Sequence, residues 1–165
     1  MDFRPEKKLG FGLMRMPQLN PADAASVDLD QVCRMVDLFL ERGFTYFDTA
    51  WMYNGFASET VAGKALVARH PRESFTLATK LHCGFFNSRE DMEKIFSTQL
   101  ANTGAGYFDY YLLHAIQVDN YHKYDEYGIW DFVKEQKEKG LIRHWGFSFH
   151  ASHKLLVFFF HHIIN

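Results

Sequence analysis

Residues 75–81 read FTLATKL. The stretch is short and rich in apolar and branched side chains on both alternating faces. That is the make-up of a strand covered on both sides, as in a parallel sheet. Lys80 interrupts it. Burying an unpaired ammonium is costly, so this lysine calls for a carboxylate partner nearby.

Three other segments share the character of 75–81: TYFDTA (45–50), YFDYYLLHAI (107–116) and IRHWGFSFH (142–150). An earlier run, LGFGLMRMP (9–17), reads as a first strand ending at Pro17. Between the strands lie helical patterns. DLDQVCRMVDLFLERG places Val32, Met35, Val36 and Phe39 on one stripe, with Asp28 and Gln31 as a capping pair and Gly43 at the stop. SETVAGKALVARH ends before Pro71, and SREDMEKIFSTQLANTG opens on Ser88 with Asp91 three residues on. YDEYGIWDFVKEQKEKG reads as one helix that joins Ile129, Trp130 and Val133 and ends at Gly140. The strand starts at Thr45, Phe75, Tyr107 and Ile142 fall 30, 32 and 35 residues apart, the pace of repeated βα units. Such repetition permits an open doubly wound sheet or a (β/α)8 barrel. A barrel takes about 250 residues, and this chain supplies roughly half of one.

With 47% hydrophobic and 23% charged residues, the chain has the composition of a folded domain rather than a disordered one. A formal net charge of −2 and the lack of any Lys/Arg block argue against a nucleic-acid partner. The two cysteines, Cys33 and Cys83, are far apart and form no CxxC, so reduced thiols in a cytoplasmic protein are expected. The charged N-terminus is no signal peptide, and the apolar run Leu155 to Ile164 is far short of the ~20 residues of a membrane span.

The polar residues that break the strands form a pattern. Asp48 stands near the end of the second strand, Tyr53 in the loop after it, Lys80 near the end of the third and His114 near the end of the fourth. In both candidate architectures that carboxyl edge is where ligands bind. Asp48 is the obvious partner for Lys80. A phenol is a poor acid at neutral pH, and a nearby ammonium favours its anion. Tyr53 could then protonate a developing alkoxide, with His114 polarising and orienting the carbonyl. The hydride must come from a cofactor.

The segments LGFGLMRMP, FDTAWMYNG with the following SE, LATKL, FDYYLLHAI and GLIRHWGFSFH, in this order and spacing, resemble the N-terminal half of an aldo-keto reductase. The likeness runs over nearly the whole chain, to about Lys154. It implies a (β/α)8 barrel of the TIM type, incomplete here at about its first five βα units, and reduction of small aldehydes and ketones with NADPH, or with NADH. Asp48, Tyr53, Lys80 and His114 fall where that family has its catalytic Asp-Tyr-Lys-His tetrad. By the same likeness Gly12, Leu13, Met14 and Asp48 would line the nicotinamide, and Ser148 would hydrogen-bond its carboxamide. GFSFH resembles a bacterial branch in which some members add a C-terminal iron–sulfur domain.

The chain also departs from that pattern. Phe149 stands where many relatives have Asn after the serine matching Ser148. Strands six to eight, which carry the adenosine-side contacts in the family, are absent. VFFFHHIIN looks unlike the amphipathic helix that HASHKLL begins, so residues 1–154 read as barrel and 155–165 as an atypical tail, such as a truncated or frame-shifted reading would leave. Two rival readings follow. One is a non-catalytic half-barrel that associates through its exposed strand edges. The other is a metal-dependent barrel hydrolase, drawn from His150, His153, His161 and His162. Each single residue also has an ordinary structural reading: Asp48 as a turn residue, Tyr53 and Trp51 as rim aromatics, His114 as a core histidine and Cys83 as a small buried thiol.

Overall fold

Strands and helices alternate along the chain, and every strand lies parallel to its neighbours. A computed structural model describes residues 7–162, apart from the side chains of 159, 161 and 162. The strands are β1 (Gly10–Gly12), β2 (Tyr46–Asp48), β3 (Thr76–Leu81), β4 (Phe108–Ile116) and β5 (Ile142–Phe149). They hydrogen-bond in chain order into one five-stranded sheet. Helices α1 (Leu29–Glu41), α2 (Ser58–Ala62), α3 (Arg89–Thr103), α4 (Tyr121–Glu126), α5 (Ile129–Glu138) and α6 (His153–His162) fill the connections. This is the α/β pattern of a (β/α)8 barrel, represented by five of its strands. Register sets Gly12 beside Asp48, Asp48 beside Ala78 and Lys80 beside Leu112, which brings the carboxyl ends of the strands level.

The side-chain alternation of each strand divides the sheet into two faces. Phe47, Leu77, Leu81, Tyr111 and Leu113 are fully buried. They pack with α-helical residues such as Val32, Val36, Phe96 and Phe132 in a single core. On the other face Tyr46, Tyr110 and His144 form an aromatic row across β2, β4 and β5, with ring centroids 5.5 and 5.6 Å apart. Gly10 belongs to this face because a Cβ there would lie 2.7 Å from the Tyr46 ring.

Capping chemistry sets the helix starts. The Asp28 carboxylate accepts the Gln31 amide at the head of α1. At α3 the Ser88 hydroxyl accepts the Asp91 amide while Asp91 Oδ2 accepts the Asn87 amide, and the helix closes at Gly104 with φ 63°. α2 runs into a π-helical turn, Gly63–Val67, packed hard against α3. A Cβ on Gly63 would lie 2.6 Å from the carbonyl oxygen of Asn102.

At the amino edge of the sheet Asp109 accepts hydrogen bonds from Arg72 (2.7 Å), Arg143 (3.0 Å) and the Leu77 amide (2.9 Å). The two guanidinium groups lie 3.9 and 4.1 Å from the Tyr107 ring centre. One carboxylate and one phenol ring thus tie the starts of β3, β4 and β5.

Two local expectations need correction. The first strand is three residues long, not nine. After Gly12 the chain turns into a 3-10 segment, Leu13–Arg15, in which the Leu13 side chain is buried. The helix expected over 124–140 is two helices, because Gly128 adopts φ 65° and ends the α-helical path between α4 and α5. Helix α6, His153–His162, carries the first part of the tail, and residues 163–165 lie outside the described ones. No helix among the described residues is long and apolar enough to cross a membrane.

Candidate active site

Lys80 Nζ is the hub. Its side chain is 6% exposed and binds three oxygens: Asp48 Oδ1 in an ion pair, the Thr49 carbonyl at 2.8 Å and the Tyr53 phenol at 3.2 Å. Full pairing explains how an ammonium is tolerated inside the sheet. The positioning follows from the chain path. Asp48 ends β2, the Thr49 and Trp51 amides go on to bond the Ala78 and Lys80 carbonyls, and the chain turns from Trp51. The loop then returns Tyr53 over Lys80, with the ammonium 4.7 Å from the ring centre. Asn54, Gly55 and Phe56 have φ of 51°, 57° and 70°, a left-handed run that reverses the chain directly after Tyr53.

His114 meets Tyr53 from β4. Its Nε2 is 3.5 Å from the phenol oxygen and the two rings meet edge to face. Burial first, then the Lys80 ammonium and the imidazoles of His82 and His150, hold the His114 imidazole down to about 4. It is therefore neutral at physiological pH. A β-bulge follows it, in which Ala115 takes φ 56°. Ser148 Oγ accepts the Ala115 amide at 2.7 Å, and Asn120 Nδ2 donates to the Ala115 carbonyl at 2.9 Å. Tyr124, fully buried, accepts the Cys83 amide and donates to the His114 carbonyl at 2.6 Å, which ties the ends of β3 and β4 together. Tyr46 brings its phenol within 3.5 Å of Asp48 Oδ2. Burial and that carboxylate push the Tyr46 phenol up, away from ionisation.

Asp48, Tyr53, Lys80 and His114, four of the residues singled out from the sequence, therefore gather in one cluster. The others lie around it. Gly12 pairs in register with Asp48, and a Cβ on it would meet nothing within 4 Å, so open space lies over the strand end. Met14 is 49% exposed, whereas the Leu13 side chain is fully buried and only its backbone can face a ligand. Ser148 engages the β4 bulge and keeps its hydroxyl proton to donate. Gly12 and Met14, from the end of β1, and Ser148, from β5, thus present an open glycine, an exposed methionine and a hydroxyl donor at the carboxyl edge of the sheet. Trp51 is drawn outward and lines a cavity of about 380 Å³ with Phe56, Phe85 and residues of α3. Cys83 is buried, and burial pushes its thiol up, away from the reactive anion. Among the described residues no group of three or more His, Cys, Asp or Glu could hold a metal ion; the His161 and His162 side chains lie outside them.

Sequence reasoning missed Tyr124 and Asn120, whose hydrogen bonds fix the bulge beside His114. Asn120 stands in a polar stretch after β4, and Tyr124 opens a helical pattern in which nothing marks it apart from a packing aromatic.

A sequence profile of the aldo/keto reductase family matches residues 8–156. An aldo-keto reductase from Bacillus halodurans in its holo form is similar at 30% identity and a TM-score of 0.67, over 86% of this chain and 45% of that one. An aldo-keto reductase from Klebsiella pneumoniae, solved in complex with NADPH, shares the fold at 24% identity and a TM-score of 0.62, over 84% of this chain and 44% of that one. A putative aldo-keto reductase from Pseudomonas aeruginosa shares it at 21% identity and a TM-score of 0.69, over 84% and 54%. The chain thus spans about half the length of the solved structures it matches. No curated protein matches it.

Proposed function

The chain belongs to the aldo/keto reductase family, and from that premise we propose that its sheet edge carries the proton-transfer half of an NADPH-dependent reduction of small aldehydes and ketones. The observation that carries the reading is the position of Lys80 Nζ, bound at once to the Asp48 carboxylate and the Tyr53 phenol. The ammonium stabilises charge on the phenol oxygen as the proton leaves. Asp48 holds the ammonium in place and balances its charge. Tyr53 donates its proton to the carbonyl oxygen as the carbonyl carbon is reduced. His114, neutral, offers an N–H to that same oxygen without adding a second cation beside Lys80.

The nicotinamide would rest over Gly12, beside Met14 and the backbone of Leu13, with its carboxamide toward Ser148. When bound, NADPH supplies the hydride. NADH would serve the same chemistry, because the residues named touch only the nicotinamide end. The substrate is a small carbonyl compound. Mixing the purified chain with NADPH and an aromatic aldehyde, and following the loss of reduced-nicotinamide absorbance, tests the reading. Turnover that vanishes in Tyr53→Phe supports it, and equal turnover in that variant overturns it.

One observation favours a second reading. Among the described residues β1 and β5 each pair on one side only, which leaves two strand edges open. Open edges recruit other strands. In this reading the chain acts as one part of an assembly and turns over substrate only within it.

A further inference from the structure

Ser58 and Glu59 open α2, where a Ser-Glu pair ordinarily caps the helix and faces solvent. Here neither does so. The residue before them, Ala57, makes no side-chain cap, and Ser58 and Glu59 are 0% and 1% exposed. Both reach away from their own helix into the sheet. Most buried polar groups are bonded, and although Glu59 Oε2 meets no partner among the described residues, the bonds that Ser58 Oγ and Glu59 Oε1 do make reveal the task.

Ser58 Oγ donates to the Leu13 carbonyl at 3.1 Å. A hydroxyl has one proton, so the 2.7 Å contact with Thr49 is a bond donated by Thr49. Ser58 thereby links the end of β1 to the residue whose carbonyl holds Lys80 Nζ. Glu59 Oε1 accepts from Thr79 Oγ1 at 2.6 Å and from Gln99 Nε2 at 2.7 Å. The same Gln99 amide approaches the Lys80 carbonyl at 3.2 Å, and Gln99 Oε1 is held by the Tyr111 phenol at 2.7 Å. Glu59 therefore holds Thr79 by its hydroxyl and, through the shared Gln99 amide, the Lys80 carbonyl, both from the helix face. Lys80 leaves by the opposite face.

We propose that Ser58 and Glu59 are positioning residues that set, from behind the sheet, where Lys80 stands relative to Asp48 and Tyr53. The proposal rests on the proton-transfer reading of that cluster. Ser58 places the Thr49 carbonyl and Glu59 places the strand, so the ammonium has one geometry rather than several. The pair also couples the Leu13 end, where the nicotinamide would sit, to the lysine.

The test reads the position of Lys80 through its charge, with no need for turnover. The His114 imidazole feels that ammonium, so its titration midpoint, followed by nitrogen-correlated NMR on the full chain, rises when Lys80 is removed or slackens. Lys80→Met should raise the midpoint by about one pH unit, and Ser58→Ala and Glu59→Ala by about half a unit each. Glu59→Gln keeps the accepting oxygen and should restore the original midpoint. Val61→Ala, a core change on the same helix, should lower thermal stability without moving it. Where Glu59→Ala fails to fold, Thr79→Val removes one of its bonds at constant shape and should raise the midpoint as well. If Lys80→Met moves the midpoint while Ser58→Ala and Thr79→Val leave it in place, the positioning role is overturned and the cluster stands. If Lys80→Met itself leaves it in place, the proton-transfer reading fails with it.

Discussion

Tyr53 Oη and His114 Nε2 stand 3.5 Å apart, although 61 residues separate them in the chain. One arrives on a left-handed loop, the other at a β-bulge. The space in front of the pair is where a carbonyl oxygen would receive both groups, and this relationship sets the first prediction. In a preparation that reduces an aldehyde with NADPH, Tyr53→Phe should lower kcat by about 10²–10⁴-fold and leave the NADPH Kd near its original value. Fluorescence titration and steady-state kinetics on the same variant separate the two.

His114 should make the fold acid-sensitive. Its imidazole binds a proton near pH 6.5 when unfolded and at about 4 when folded. Between those values the unfolded chain binds more protons, so stability falls as pH drops from about 6.5 toward 4. Because the ring is only partly buried, the loss should be about 2 kcal/mol. Urea unfolding of the parent and of His114→Gln across that window checks it. The variant should lose less on acidification.

Asp48→Asn should cost about 3 kcal/mol, because it strands the Lys80 ammonium in a site where the lysine side chain is 6% exposed. Adding Lys80→Met to Asp48→Asn should return part of that loss. A double-mutant cycle in urea that gives no coupling between the two positions would contradict the buried pair.

Gly63→Ala should destabilise by about 2 kcal/mol. The new methyl would press on the Asn102 and Thr103 carbonyl oxygens at 2.6 and 3.0 Å, which are backbone atoms with little room to yield. Thermal unfolding with unchanged far-ultraviolet dichroism would register it.

The open edges of β1 and β5 predict association. Sedimentation velocity over about a hundredfold range of concentration should show the weight-average mass rising. A constant monomer mass would remove the strand-edge reading.

Much of this was legible in the sequence for a physical reason. A lysine, an aspartate and a histidine set into otherwise apolar strands violate the cost of burial, and such violations mark sites. The βα pace was legible because β3, β4 and β5 are long and two-sided. Other features left no trace. The π-helical turn after Ala62 keeps a helical pattern of side chains, so nothing in SETVAGKALVARH betrays it. Gly128 looked like a tolerated glycine in a helix, and only its left-handed backbone reveals a break. Ser58 and Glu59 carry the residue types of a solvated helix start. Their burial is decided by the sheet they reach, which local sequence does not encode. Nor does LGFGLMRMP betray the 3-10 turn that carries the Leu13 side chain into the core.

The Arg72–Tyr107–Arg143 sandwich and its shared Asp109 rivet three strands at the edge opposite the Lys80 cluster. The rivet and the Lys80 cluster therefore occupy separate poles of the same sheet. Loops on the carboxyl rim can be lengthened, exchanged or reshaped while the rivet keeps the strands aligned, which makes that rim the natural place for an engineer to begin.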